Sequence, residues 1–259
     1  VAQTPEEVVA LEARHRIGDH LGRRARYNPT ASLKALSTQL AQEYEDRFLV
    51  ELIQNAYDAH PSGTVDGRVH IRLDESSSPP TLYVANRGQP FETKNFDALT
   101  NVAQSSKPPG EGIGNKGVGF RSVLRVCEFP EIYSANPDDP TATGFGGYCF
   151  GFATDDDIRR MVQREEDFET VLRDFSRYLL PVPATPQDPY LDELRNERMV
   201  TVVRLPLATP AAIDLARTQI ERLLQPSPPM ALFLERLSAI TVDHIDAKGH
   251  FTDGHLDRD

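Results

Sequence analysis

The sequence predicts an α+β fold, a two-layer sandwich in which a mixed, mostly antiparallel sheet carries helices on one face. Apolar residues recur every four positions between 36 and 56, which is helical spacing, whereas residues 68–73 alternate apolar and polar side chains as a half-buried strand does. A second strand pattern over 81–85 follows as a hairpin neighbour. Strict βαβ units are few, which disfavours a doubly wound parallel sheet.

Two helical segments precede the first strand. Residues 5–25 are predicted to form one or two helices, because Thr4 can cap the first turn and Pro5 fits its first position. The four-residue periodicity predicts a long helix over about 32–59, which Pro61-Ser62-Gly63 ends.

The rest of the chain mixes strands, helices and one glycine-rich stretch that cannot hold a regular element. The predicted elements of the first part are strands 68–73 and 81–85, a turn over 86–90, a short helix over 93–102, an irregular segment over 104–119 and a helix from 117 to about 127. Those of the second part are strands 129–135 and 147–153, a charged amphipathic helix over 155–178, an irregular connection over 180–189, strand 199–205, a helix over 211–224, a short helix ending near 237 and strand 239–243.

Composition and charge restrict the classes of function. A chain of 259 residues with 39% hydrophobic and 26% charged residues is typical of a globular protein with a sizeable core. The formal net charge of −11 disfavours a protein whose main task is to bind nucleic acid, and the longest apolar runs are far shorter than a membrane span. No secretory leader pattern is present, and Cys127 and Cys149 have neither scaffold nor metal spacing. We therefore expect a cytoplasmic protein with buried free thiols.

One predicted helix carries polar residues in a pattern that indicates a site. Glu51, Asn55 and Asp58 fall on one face of the stretch ELIQNAYDA at 51–59, while Leu52 and its apolar neighbours point to the other side. An acid, an amide and a second acid that rise side by side can hold a cation and a water molecule. The alternative is the solvated face of an ordinary amphipathic helix.

A glycine-rich segment supplies a second feature of such a site. Gly114, Gly117 and Gly119 allow a close backbone approach to an anion, and the helix predicted to follow offers free amides at its N-terminus. The spacing does not match a P-loop, because no Lys-Ser or Lys-Thr pair follows the last glycine, and no strand precedes it as a dinucleotide fingerprint requires. Ordinary tight turns are the alternative for these glycines alone.

Three motifs, in this order, resemble the GHKL ATPase superfamily, which includes gyrase B subunits, heat-shock chaperones, sensor histidine kinases and mismatch-repair clamps. They are ELIQNAYDA at 51–59, VANRGQPF at 84–91 and GIGNKGVGFRSV at 112–123. With SSK at 105–107 and VTVVRLPL at 200–207, the sequence is most similar to the chaperone-type and sacsin-like ATP-binding regions.

The resemblance covers roughly residues 30–245 and implies a domain organisation. An N-terminal helical extension over 1–30 would precede an ATP-binding domain of the GHKL type over 31–259, with a mobile lid over roughly 103–118. Relatives with this organisation imply that the chain is the N-terminal part of a larger protein.

The resemblance also implies a role for each matching residue. Glu51 matches the general base that deprotonates the attacking water, and Asn55 matches the amide that coordinates Mg²⁺. Gly88 matches the glycine of the turn under the adenine, and Thr201 matches the strand threonine that shares a water with the adenine-binding acid. The residues expected to contact ATP or ADP are Asn55, Asp58, Ala59, Asn86, Gly88, Ser106, Lys107, Gly114, Lys116, Gly117, Val118, Gly119, Phe120 and Thr201.

One turn departs from the superfamily pattern. Asn86 stands where an aspartate usually accepts the amino group of adenine, so we expect weaker or water-assisted adenine binding and leave guanine open. Pro90 replaces the second glycine of the same turn. For Lys116 and Arg121, phosphate contact and solvated surface are equally compatible with the sequence.

The implied activity is slow, Mg²⁺-dependent hydrolysis of ATP to ADP and phosphate, which drives lid closure and a conformational change in a larger multidomain protein. The implied partners are the nucleotide, the C-terminal domains of the same protein and a second copy in a nucleotide-dependent dimer, with no membrane and no nucleic acid. A nucleotide-sensing module with little turnover is the main alternative. A protein-interaction scaffold with an inactive site is a third.

Overall fold

A computed structural model describes residues 3–22, 47–100, 119–139, 142–225 and 234–257 of the chain. The α-helices in these ranges are α1 (Pro5–Gly22), α2 (Phe48–Asp58), α3 (Thr93–Thr100), α4 (Asp155–Met161), α5 (Glu165–Asp174), α6 (Pro189–Asn196) and α7 (Pro210–Leu223). The strands are β1 (Gly67–Asp74), β2 (Thr81–Asn86), β3 (Glu131–Ser134), β4 (Phe150–Phe152), β5 (Pro181–Pro183), β6 (Thr201–Pro206), β7 (Leu237–Ile245) and β8 (Phe251–Asp257). Two 3₁₀ helices are Gly119–Arg125 and Arg177–Leu179.

The described strands form one sheet with the order β5-β4-β3-β6-β2-β1-β7-β8. Strands β1 and β7 run parallel, and the other neighbouring pairs run antiparallel. Helices α2, α3 and α7 cover one face, where Phe48, Phe96 and Ile220 belong to the same core as Ile71 and Val84. The predicted α+β fold with a mixed, mostly antiparallel sheet is therefore confirmed.

Helix α6 packs on the opposite face of the sheet. Its Leu191 and Leu194 share a smaller core with Tyr83 of β2 and Val202 of β6. Asp188 caps the helix and also accepts hydrogen bonds from the Tyr83 hydroxyl and from Arg204, which fastens α6 to the sheet. This helix was not predicted, since only an irregular connection was expected over 180–189.

Two helix predictions need correction. The single helix predicted over 155–178 is wrong, because the backbone is extended at Val162 and Arg164 and a new helix begins at Glu165. Its last part, Arg177–Leu179, is a 3₁₀ helix. The helix predicted from 117 to 127 is also a 3₁₀ helix in its described part. Within this 3₁₀ helix, Phe120 and Val123 lie one turn of three residues apart, and both belong to the main core.

The C-terminal elements also differ from prediction. Residues 230–233 of the predicted short helix lie outside the described residues, and residues 235–236 form a turn before β7 begins at Leu237. Strands β5 and β8 were not predicted. Strand β8 pairs with β7 along its whole length, so it extends the sheet at that edge.

Helix α1 packs against the rest of the domain. Val9 lies in the main core, while Ala13 and Ile17 share a second cluster with Phe168 of α5. The long helix predicted over 32–59 can be compared only over α2, since residues 23–46 lie outside the described ranges.

The two cysteines are free thiols, as predicted. Cys127 is buried and Cys149 is half-buried, and burial raises the pKa of the Cys127 thiol to about 12. None of the helices in the described ranges combines the length and apolar character that crossing a bilayer requires.

Candidate functional site

Helix α2 presents the predicted polar face. Leu52, Ile53 and Ala56 are buried in the core, whereas Glu51 and Asn55 are only partly buried. Buried and partly buried residues alternate with the helical period. Burial of the apolar face therefore turns the polar face of α2 outward. Asn55 and, further along the helix, Asp58 therefore line the opening between α2 and the end of the sheet.

A pocket of about 180 Å³ lies between α2, α3 and the ends of β2 and β6. It brings together six of the residues that were expected to contact nucleotide. These are Asn55, Asp58, Ala59, Asn86, Phe120 and Thr201. Its other walls are largely apolar and include Val84, Val203 and Leu99. A pocket that combines apolar walls with polar groups suits a ligand that has both an apolar body and a polar edge.

The turn after β2 forms the end of this pocket. The side-chain oxygen of Asn86 accepts the backbone N–H of Gly88 at 2.9 Å, and the N–H of Gln89 donates to the carbonyl of Ala59 at 2.8 Å. A Cβ on Gly88 would lie 2.7 Å from the backbone of Ala59, closer than side chains tolerate. Glycine is therefore required where the turn docks on the C-terminal end of α2.

Asn86 and Thr201 stand opposite each other on neighbouring strands. They are register partners between β2 and β6, and both line the pocket. Thr201 is 3% exposed, and its hydroxyl oxygen has no hydrogen-bond partner among the described residues. A buried hydroxyl without a partner is costly, so it favours a ligand or a bound water at this end of the pocket.

Glu51 lies one helical turn before Asn55, about 6 Å along the helix axis. Burial raises the pKa of its carboxyl group above the ordinary glutamate range, and the nearby Arg47 guanidinium opposes this shift. Glu51 does not belong to the pocket wall formed by the described residues. Its side chain therefore lies on the helical turn before the one that carries Asn55, beside the pocket and not in its wall.

The remaining expected contacts divide between described and undescribed parts of the chain. Ser106, Lys107, Gly114, Lys116, Gly117 and Val118 lie outside the described residues. Gly119 begins the 3₁₀ helix, and Gly88 lies behind the pocket wall and not in it. Arg121 is 2% exposed, and burial lowers the pKa of its guanidinium, so the solvated alternative for this residue is excluded.

Several wall residues were not expected from the sequence. Val84 and Val203 could have been found, because they precede Asn86 and follow Thr201 at the two-residue spacing that places side chains on one face of a sheet. Phe91 and Leu99 had no such signal, since their place depends on how α3 packs.

The side chains fit a magnesium nucleotide better than a metal held by protein alone. Within the described part of the chain, no group of three His, Cys, Asp or Glu residues is arranged to bind a metal ion. Mg²⁺ accepts one amide oxygen when phosphates and waters supply its other ligands. Asn55 on the polar face of α2 is placed for such a contact, and the unpartnered Thr201 hydroxyl fits the polar edge of a base.

Comparison with known proteins establishes the family. The model of the Sacsin domain family matches residues 30–253. The chain belongs to the sacsin domain family. This sacsin domain is similar to the protein NO VEIN of Arabidopsis thaliana, with 28% identity over 229 residues that cover 83% of this chain and 7% of the relative. It is also similar to human sacsin, with 26% identity over 255 residues that cover 87% of this chain and 5% of the relative.

The chain therefore spans less than a tenth of the length of these two relatives. The sacsin domain matched here corresponds to one segment of each much longer protein.

Proposed function

We propose that the chain is an ATP-binding domain that hydrolyses MgATP slowly and acts within a larger protein. The observation that carries the proposal is the pocket at the end of β2 and β6, where the unpartnered hydroxyl of Thr201 lies opposite Asn86. The apolar walls would hold a purine ring, and these two side chains would meet its polar edge. The resemblance to the GHKL ATPases supports the same assignment.

The residues of α2 would divide the chemistry between them. The side-chain oxygen of Asn55 would hold Mg²⁺, which neutralises phosphate charge when it is bound. Glu51, one turn away, would orient a water molecule and take its proton. That role requires an ionised carboxylate, which is why the raised pKa of Glu51 matters for activity at low pH.

Titration calorimetry of the chain with ATP and ADP, with and without Mg²⁺, tests the proposal. We expect both nucleotides to bind and Mg²⁺ to strengthen ATP binding. Asn55→Ala should remove much of the magnesium dependence and leave binding without the metal nearly unchanged. If neither nucleotide produces heat of binding under any of these conditions, the proposed function is wrong.

A nucleotide sensor with little turnover is the second candidate. The position of Glu51 beside the pocket and not in its wall favours this alternative. Release of phosphate under multiple turnover separates the two candidates. Binding without phosphate release above the background rate would identify a sensor, whereas release that depends on Mg²⁺ would identify an ATPase.

A further inference from the structure

The orientation of the Asn86 amide can be assigned from its surroundings. Its oxygen accepts the N–H of Gly88 at 2.9 Å. If the amide were rotated by half a turn, its NH₂ group would face the same N–H, donor against donor, and this bond would be lost. The NH₂ group has no hydrogen bond to a described residue, although the side chain is only 6% exposed and lines the pocket. Asn86 therefore offers the pocket a hydrogen-bond donor.

Thr201 offers a more adaptable group beside this donor. Its hydroxyl is buried without a partner among the described residues, and a hydroxyl can donate or accept. The two residues are held side by side, because they are register partners and the backbone carbonyl of Asn86 accepts the N–H of Val200 at 2.7 Å. The pocket thus presents one fixed donor next to one group of either polarity.

We propose that Asn86 donates a hydrogen bond to the base, so that the pocket takes purine nucleotides through an acceptor atom and does not select the 6-amino group. Ring N1 of adenine and O6 of a 6-oxopurine are acceptors of this kind. The Thr201 hydroxyl beside this contact can meet a base atom or a bound water, so its partner does not depend on the 6-amino group. The inference rests on the proposed nucleotide function of the same pocket.

A pair of ligands tests the inference in the unaltered chain. Calorimetry would compare MgADP with the magnesium complex of purine riboside 5′-diphosphate, in which hydrogen replaces the 6-amino group and N1 is retained. We expect the two dissociation constants to agree within about threefold, because the acceptor that Asn86 meets is present in both. If the analogue binds about tenfold more weakly or worse, the amino group is being recognised and the inference is overturned.

Asn86→Asp reverses the polarity at the same position. Aspartate can still accept the Gly88 N–H with one oxygen, but its other oxygen would face the lone pair of N1. We expect the analogue to bind this variant at least about tenfold more weakly than ADP does, since only ADP brings an amino donor. Equal affinity of the variant for both ligands would contradict the role assigned to the amide.

Asn95→Asp is the matched control. Asn95 also lines the pocket, and its side-chain oxygen accepts a backbone N–H, from Glu92 at 3.0 Å. This variant adds the same charge to the pocket without changing the Asn86 turn. The ratio of its dissociation constants for ADP and for the analogue should therefore equal that of the unaltered chain. A similar change of the ratio in both variants would mean that charge, and not the Asn86 contact, sets it, which overturns the inference.

The outcomes separate this inference from the proposed function. Failure of both ligands to bind the unaltered chain would contradict the proposed function and the inference together. If ADP binds but the analogue binds at least about tenfold more weakly, only the inference is contradicted. Thermal unfolding of each variant confirms that it is folded before its affinities are compared.

Discussion

Glu51 is the residue on which the choice between an ATPase and a nucleotide sensor depends. Burial raises the pKa of its carboxyl group, and Arg47 limits that shift. A general base must be deprotonated, so activity should decline as the pH falls through this raised value. For an ATPase we therefore expect an acidic limb of the rate profile at a pH above the ordinary glutamate range of about 4.3.

Glu51→Gln tests this role directly. The substitution preserves shape but removes the base, so phosphate release should fall by roughly 100-fold or more, the usual contribution of general base catalysis. The acidic limb of the remaining rate profile should disappear, and ADP affinity measured by calorimetry should stay within about threefold. Unchanged phosphate release in the variant would show that Glu51 is not the base.

Gly88 is the residue that lets the turn after β2 dock on the C-terminal end of α2. Gly88→Ala would bring a Cβ to 2.7 Å from the backbone of Ala59, so one of the two segments must shift. We expect a loss of about 1–3 kcal/mol in the free energy of unfolding, measured with urea, and weaker ADP binding because Asn86 moves with the turn.

Gly146→Ala is the control for that substitution. A Cβ at this position has no atom within 4 Å, and its backbone is not in the left-handed region. Its unfolding free energy should change by less than about 0.5 kcal/mol. Equal effects of the two substitutions would argue against a specific role for the close approach at Gly88.

Among the secondary-structure elements, α1 contacts the domain through the side chain of Arg16 as well as through its buried apolar residues. The guanidinium of Arg16 donates to the carbonyl of Thr100 at 2.7 Å and to that of Leu179 at 2.9 Å. These contacts join α1 to the end of α3 and to the 3₁₀ helix Arg177–Leu179. Hydrogen bonds from charged donors are stronger than those from neutral ones, so this contact should contribute measurably to stability.

Arg16→Met keeps much of the apolar stem and removes the donors. We expect a loss of about 1–3 kcal/mol in unfolding free energy, because two partly buried carbonyl groups lose their partner. Arg14→Met on the exposed side of the same helix should change it by less than about 0.5 kcal/mol. Indistinguishable urea midpoints for the two variants would show that the Arg16 contact does not hold α1.

The sequence predicts elements well where burial imposes a period. Helix α2 repeats apolar residues at helical spacing because one side of it is buried, and this also locates Glu51 and Asn55. Strand β8 gives no such signal, since most of its side chains are exposed and its pairing with β7 uses the backbone. The break between α4 and α5 is hidden because no glycine or proline marks it and charged residues lie on both sides of it.

Prediction of the candidate site shows the same division. Asn86 and Thr201 were expected from the resemblance of the motifs that contain them, and each motif lies within a short stretch of chain. Helix α6 had a local signal, Asp188 before Pro189, that matches a cap followed by proline. Phe91 and Leu99 reach the pocket through tertiary packing alone, which no local pattern encodes.

At the scale of the whole molecule, buried and half-buried carboxylates join elements that are far apart in the sequence and neighbours in the fold. Burial alone would raise the pKa of Glu75, but hydrogen bonds from Arg217 and His244 outweigh it and hold that pKa below its usual value. Asp243 behaves in the same way with His70 and Arg72. Each lowered pKa means that the folded state favours the ionised carboxylate more than the unfolded state does.

Asp188 is another carboxylate with a lowered pKa, and it joins α6 to the sheet. Burial opposes the shift, and hydrogen bonds from Tyr83 and Arg204 lower the pKa of its carboxyl group overall. A lowered folded-state pKa gives stability that is present above the unfolded value, near 3.9 for aspartate, and is lost as the pH falls through the folded value. The contribution of Asp188 to the free energy of unfolding should therefore be nearly constant from neutral pH to about 5 and fall below about pH 4.

Asp188→Asn tests this account of acid stability. Asparagine can still cap α6, but it gives up the charge that faces Arg204, so we expect a loss of about 1–2 kcal/mol at pH 7. The difference from the unaltered chain should narrow as the pH approaches 3, because protonation removes the same charge from the unaltered chain. Glu169→Gln, at an exposed position, should follow the unaltered chain at every pH. A difference for Asp188→Asn that stays constant from pH 7 to 3 in urea unfolding would show that its effect comes from shape and not from charge.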